Sequence, residues 1–315
     1  MGRDELILCI RGLKNIRETG QCQVVYEKQH TGREDMQNYR EKTAGRQVLL
    51  VNDLAGYGKV ALSAMIPVLS HMGHHIYNLP TALVSNTLDY GKFYILETTD
   101  YMRNTIRVWK ELGFRFDAVS TGFIVSDVQA KMIAEFCREQ RQDGAVIFVD
   151  PIMGDDGKLY NGITEQTVMH MKELVRVSDY MVPNYTEAVY LAGMRYDPEG
   201  MTMEETDELI SRLREIGARS MVITSARVDH QDVVILYDHE ADKKQLLPFT
   251  SIPVRFPGTG DIFSAVFMGK LLEGQTFADS TRKAMDAVST LIDRNKDNED
   301  KFKGIPLETC LEVLE

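Results

Sequence analysis

Short, unbroken apolar runs spaced by helix-length segments dominate the chain after residue 46. Val48-Leu49-Leu50-Val51 and Ala145-Val146-Ile147-Phe148-Val149 present no polar side chain to water. A strand of that kind must be covered on both faces, as happens in a parallel sheet between two layers of helices. His75–Leu79, Ala118–Ser120, Tyr180–Val182 and Ser220–Ile223 read as further strands. Helices are predicted over Val60–His71, Thr98–Leu112, Asp127–Gln142 and Met203–Ile216, with Pro67 kinking the first. Val233–Tyr237 and Gln245–Phe249 read as antiparallel strands around an acidic turn. Helices from Asp261 to Glu273 and from Phe277 to Asp293 follow, with a short one after Pro306. The pattern predicts an α/β fold with a mostly parallel central sheet and helices on both faces. Ligands of such sheets bind beyond the carboxyl ends of the strands. That rule nominates Asp53, Thr81, Thr121, Asp150, Asn184 and Thr224.

At 315 residues and 43% hydrophobic, the chain can bury the core of one large α/β unit. A net charge of −11 without a Lys/Arg block argues against nucleic acid and anionic membranes as partners. Cys9, Cys22, Cys137 and Cys310 lack CxxC spacing, so neither a zinc site nor a disulfide framework is expected. No apolar run reaches the length of a membrane span, and a soluble cytoplasmic protein is the expectation. Residues 1–46 are polar and weakly periodic and read as a poorly ordered N-terminal extension; residues 47–315 carry the domain. His71, His74 and His75 have no metal spacing and read as surface or loop residues.

Gly258-Thr259-Gly260-Asp261 is the most informative motif. A glycine-bounded turn opening an apolar helix leaves backbone N–H groups pointing outward, which makes an anion site. A carboxylate in that same turn would repel a resting phosphate, unless its task is to take a proton from an attacking alcohol; the plain alternative is a helix-capping acid. Val149-Asp150-Pro151-Ile152-Met153-Gly154-Asp155-Asp156 ends a strand in carboxylates able to face Mg²⁺ beside a phosphate chain, with Asp156 read as a solvated turn residue. Pro183-Asn184-Tyr185-Thr186-Glu187 follows another strand and has capping-box spacing, yet also faces the same region. Gly56-Tyr57-Gly58-Lys59-Val60-Ala61 matches a dinucleotide fingerprint, but no ribose-binding acid stands near Asn78-Leu79-Pro80, which weakens that reading.

Together these segments, with Val84-Ser85-Asn86-Thr87-Leu88-Asp89-Tyr90-Gly91, Thr121-Gly122-Phe123 and Val222-Ile223-Thr224-Ser225, resemble the vitamin B6 kinases of the ribokinase-like superfamily from about Gln47 to Ile292. The resemblance implies a three-layer sandwich and an ATP- and Mg²⁺-dependent kinase acting on the 5′-hydroxymethyl of a B6 vitamer, as a homodimer; a monovalent cation requirement stays open. It implies Asp261 as general base, the amides of Gly258, Thr259 and Gly260 as anion hole, and Asp150 and Glu187 in the metal region. Asp155, Asn184, Thr224 and Ser225 would serve the nucleotide, and Asp53, Thr81 and Phe123 the substrate ring. Asp53 replaces a usual serine, Phe123 a common tyrosine, and Ala61-Leu62 the usual Gly-Asn. A hydroxymethylpyrimidine kinase or a catalytically silent ligand-binding relative are the alternatives.

Overall fold

β1 (Gln47–Ala55) is the strand on which the two halves of the core meet. Leu49 and Val51 enter one apolar cluster, Val48 and Leu50 the other. This is the period-two alternation of a strand buried on both faces. In the computed structural model, which describes residues 45–160 and 163–314, β1 pairs in parallel with β2 (His75–Val84) and β4 (Ala118–Thr121). The expected extension lies, up to residue 44, outside the described residues, as do Cys9 and Cys22.

Parallel pairing runs on through β5 (Val146–Val149), β8 (Tyr180–Met181) and β9 (Ser220–Val228). Antiparallel β10 (Gln231–Asp238) and β11 (Lys243–Pro248) extend one edge, and antiparallel β3 (Ile95–Glu97) the other. Among the described residues the nine strands lie in the order β11-β10-β9-β8-β5-β4-β1-β2-β3. A small hairpin, β6 (Gly154–Asp155) and β7 (Lys158–Leu159), follows β5. The chain leaves β1 towards β2 and later returns on its other side at β4. The carboxyl ends of β1 and β4 therefore flank a topological switch point, where α/β sheets open a crevice.

One face of the sheet is covered by α2 (Thr99–Leu112), α3 (Asp127–Gln142), α4 (Glu165–Val175), α5 (Tyr185–Ala192) and α6 (Met203–Ile216). The other carries α1 (Leu62–His71), α7 (Thr259–Leu272), α8 (Phe277–Asn295) and the C-terminal turns around Leu307 and Leu314. The expected three-layer architecture is what the chain forms. Some boundaries differ. β1, β2 and β9 run beyond the predicted ends, because the residues that follow go on pairing with neighbouring strands. α1 begins at Leu62 because Ala61 has φ 48°, outside helical geometry. α4, β3 and the β6–β7 hairpin were not anticipated; His74 lies in the loop between α1 and β2 and is buried there.

α7 is buried along its length from Ile262 to Gly269, so it is apolar on every side rather than striped. Phe267 packs edge-on against Phe148, Tyr180 and Phe277, with ring centroids 6.2, 6.1 and 5.8 Å away. That packing pins the helix and thereby its first turn. Phe267→Ala is expected to cost about 3–5 kcal/mol, as truncations of fully buried aromatics do. Urea unfolding would measure it, and a loss under about 1 kcal/mol would show that α7 is not anchored by this cluster.

Candidate active site

The first turn of α7 is set by contact with the loop after β1. Gly258 is the N-cap, with φ 85°, and a Cβ there would lie 2.0 Å from the Lys59 carbonyl oxygen. No other residue fits both the conformation and the approach. The N–H groups that open α7 have no carbonyl within the helix to bind, and they face the crevice with the positive end of the helix dipole.

Asp261, in that turn, is held from β1. One oxygen accepts from the Ala61 N–H at 2.8 Å, and the other lies 3.5 Å from the Asn52 Nδ2. Ala61 adopts φ 48° and ψ −130° to present that N–H, a conformation that suits glycine and stores strain in any other residue. Burial pushes the Asp261 carboxyl up to about 6, against the opposing pull of the Ala61 N–H and the Asn52 amide. Burial, and then the Asp261 charge, push Asp53 up to about 7. Burial and the same neighbouring charge hold Asp150 well above the usual carboxylate range, while a 2.9 Å hydrogen bond from Ser264 Oγ works the other way.

A cavity of about 560 Å³ opens beside this turn. It is lined by Gly258, Thr259, Gly260 and Asp261, and by Asp150, Asp155, Asn184, Glu187, Thr224 and Ser225. The motif residues expected on the catalytic, metal and nucleotide side thus share one cavity, though they come from four distant parts of the sequence. Ser225 enters it in the left-handed conformation, φ 54°. Burial and the adjacent Asp156 raise the carboxyl of Asp155.

Two of these side chains are committed to building the wall. Asn184 accepts from the Glu187 N–H at 2.9 Å and donates to the Gly154 carbonyl at 2.8 Å. Glu187 accepts from the Met153 and Asn184 N–H groups at 2.9 and 2.8 Å and is 3% exposed. Both the capping box and a position at the cavity are therefore realised. The bond from Met153 ties Glu187 to the Asp150–Gly154 loop, and the two bonds leave one lone pair on each of its oxygens.

Asp53, Thr81 and Phe123 do not line this cavity. Asp53 and Phe123 flank the β1–β4 switch point, and Asn52 ties them to it. Its Oδ1 accepts from the N–H of Phe123 at 2.8 Å and of Asp53 at 3.0 Å, while its amide nitrogen faces Asp261. Gly122 is required there, because a Cβ would lie 2.3 Å from the Asn52 amide. Thr81 is fully buried and its hydroxyl donates to the Phe123 carbonyl at 2.8 Å, which ties β2 to the turn after β4. The sequence reading missed Asn52, although a polar residue ending an apolar strand beside Asp53 was a usable signal.

A helix start with outward N–H groups, a half-buried carboxylate within it and a switch-point crevice beside it are features of an α/β phosphotransferase of the ribokinase-like kind. The comparisons agree. The phosphomethylpyrimidine kinase family model matches residues 56–305, and the chain belongs to that family. It is 34% identical to a Bacteroides thetaiotaomicron protein described as a phosphomethylpyrimidine kinase and crystallised with pyridoxal; the match covers 85% of this chain and 96% of that one, with a TM-score of 0.79. The pyridoxal kinase of Lactobacillus plantarum is 26% identical over 85% of this chain and 96% of its own, with a TM-score of 0.77. The pyridoxal kinase PdxY of Burkholderia thailandensis is 27% identical over 258 residues, 78% of this chain and 88% of its own. Among the described residues, no helix is long and apolar enough to cross a membrane.

The raised carboxyls make stability depend on pH. The folded state keeps protons on Asp261 and Asp53 that an unfolded chain, with an ordinary value of 3.8, has released. Their contribution is complete below that ordinary value and drains away as pH rises through about 6 and 7. The melting temperature of the ligand-free protein is expected to fall between about pH 4 and pH 7, and Asp53→Asn to flatten that fall. An unchanged slope in the variant would mean that Asp53 is an ordinary exposed carboxylate.

Proposed function

We propose that the protein transfers the γ-phosphoryl group of ATP to the 5′-hydroxymethyl of a B6 vitamer. The observation that carries this reading is the hold on Asp261: a carboxylate inside an anion-binding turn, fixed by two donors, with its pKa pushed up to about 6. A base near its operating pH can take the alcohol proton as the oxygen attacks. The amides of Gly258, Thr259 and Gly260 receive the charge on the transferring group. Asp155, Thr224 and Ser225 line the nucleotide path, with Asn184 and Glu187 shaping its wall.

Magnesium fits this donor set. Asp150 is a half-buried carboxylate with one hydroxyl donor and a like-charged neighbour, a position a divalent cation would relieve. Among the described residues no group of three or more His, Cys, Asp or Glu is arranged to hold a metal. Mg²⁺ commonly takes one or two carboxylates and completes its shell with water and phosphate oxygens. When bound it would supply positive charge to the phosphate chain. Homodimer assembly and a cytoplasmic location belong to the same reading, on the resemblance alone.

Asp53 and Phe123 are assigned to the ring side. A carboxyl pushed up to about 7 can donate to a neutral ring nitrogen below that pH or pair with a pyridinium above it. The family description favours a second ring alcohol, hydroxymethylpyrimidine. Turnover of ATP against pyridoxal, pyridoxamine, pyridoxine and hydroxymethylpyrimidine tests the function, and the highest kcat/KM is expected on a B6 vitamer. No turnover on any of the four would refute the proposal. Asp53→Ser is expected to change the relative kcat/KM values among these alcohols more than it changes the KM for ATP. Uniform changes would assign Asp53 to structure.

Asp261→Asn keeps the size of the side chain and the Asn52–Ala61 surroundings but cannot accept the proton. Its kcat is expected to fall by about 10²–10⁴, with ATP affinity kept within a few-fold. In the wild type, kcat/KM is expected to fall as pH drops through about 6, where Asp261 becomes protonated. A folded Asp261→Asn enzyme with near wild-type kcat, where phosphoryl transfer limits the rate, would remove Asp261 as the base.

A further inference from the structure

Among the described residues, Arg255 is the only lysine or arginine lining the cavity, which five acids also line: Asp150, Asp155, Asp156, Glu187 and Asp261. It stands three residues before the anion turn, on the segment that leads into Gly258. Its guanidinium lies 3.9 Å from the Asp89 carboxylate and 3.8 Å from that of Asp155. Both separations exceed hydrogen-bond length. The side chain is 62% exposed, so pairing of this kind adds little to stability. The guanidinium is thus held loosely between two carboxylates from different segments, the 88–90 turn and the β6–β7 hairpin.

The charge balance gives this placement a purpose. A nucleoside triphosphate brings several negative charges into a cavity whose acids have the same sign. The opening turn of α7 offers about half a positive charge. A guanidinium on an exposed side chain can swing, and its planar fork matches phosphate oxygens in pairs. Asp89 and Asp155 keep it at the cavity mouth without locking it.

We propose that Arg255 is a phosphate-binding residue, exchanging its loose contacts with Asp89 and Asp155 for the terminal phosphates of the bound nucleotide. The proposal rests on the kinase reading and adds to it a specific residue outside the Gly-Thr-Gly-Asp motif. Arg255 touches the phosphate chain and not the ring alcohol, so its removal affects nucleotides according to how many phosphates they carry.

Calorimetric titration of ATP, ADP and AMP into wild-type and Arg255→Ala protein tests this. The dissociation constants of ATP and ADP are expected to rise by about 10- to 100-fold, the range for a lost charge-assisted contact, with that of AMP unchanged within about twofold. Arg255→Lys keeps the charge without the fork and is expected to lose less. Asp89→Asn removes a competitor for the guanidinium, so ATP affinity is expected to hold or tighten. Equal weakening of all three nucleotides, or no weakening, overturns the assignment. So does an Asp89→Asn variant that loses ATP as Arg255→Ala does, since the pair would then be a structural tie. A wild type that binds no nucleotide overturns this proposal and the kinase reading together. A wild type that binds nucleotide, with an unselective Arg255→Ala, overturns this proposal alone.

Discussion

The hold that the start of the chain's domain exerts on Asp261 is the interaction on which the rest of the site depends. The Ala61 N–H and the Asn52 amide come from the β1 side, some 200 residues away in sequence. Neither donor is where it is by local preference. Ala61 must adopt a backbone conformation that suits glycine. Asn52 must be buried, at 2% exposure, with its oxygen committed to two backbone N–H groups. Polar groups so buried are tolerated only when satisfied. Their satisfaction here joins β1, the turn after β4 and the first turn of α7 into one unit. The close approach of Gly258 to the Lys59 carbonyl is the packing side of the same junction.

That junction also explains the charge distribution. Asp53, Asp150 and Asp261 lie close enough for the Asp261 charge to raise the other two, and burial raises all three. A core built for stability alone would not gather carboxylates in this way, because each desolvated charge opposes the next. The arrangement is stable because α7 is anchored by its ring cluster and because Asp261 and Asp150 each accept a hydrogen bond, from the Ala61 N–H and the Ser264 hydroxyl. Stability from the apolar layers therefore carries strain and like-charge repulsion located at the crevice.

Local chemistry was legible in the sequence, and non-local chemistry was not. The run Val48–Val51 announced a strand buried on both faces, and Gly258-Thr259-Gly260-Asp261 announced an anion turn, because each signal is contained in a few adjacent residues. α3 and α6 appear at their predicted limits, Asp127–Gln142 and Met203–Ile216. β3 was hidden because its three residues are exposed and defined only by pairing with β2. α4 went unread although its buried apolar residues Val168, Met171, Leu174 and Val175 have helical spacing. Asn52 reads as one polar residue at a strand end until Phe123 and Asp261 are brought to it. Thr81 read as a pocket residue, and the bond from its hydroxyl to a carbonyl 42 residues away had no local signal. Arg255 gave no signal, since its neighbours Asp89 and Asp155 are set by tertiary structure.

The two carboxyls nearest the switch point have different proton affinities, Asp261 at about 6 and Asp53 at about 7. Near neutral pH the first is mostly ionised and the second is divided between its forms. Separation of this sort allows like groups to take different tasks within one site. It is also fragile, because a phosphate chain arriving without countercharge would raise Asp261 further and leave it unable to accept a proton. Positive charge delivered along with the phosphates keeps the carboxylate ionised at the moment the alcohol attacks. The helix start, a divalent cation and a mobile guanidinium would each act in that direction. Groups that neutralise a phosphate chain would therefore also set the protonation of Asp261, and the two requirements could not be met independently in so small a crevice.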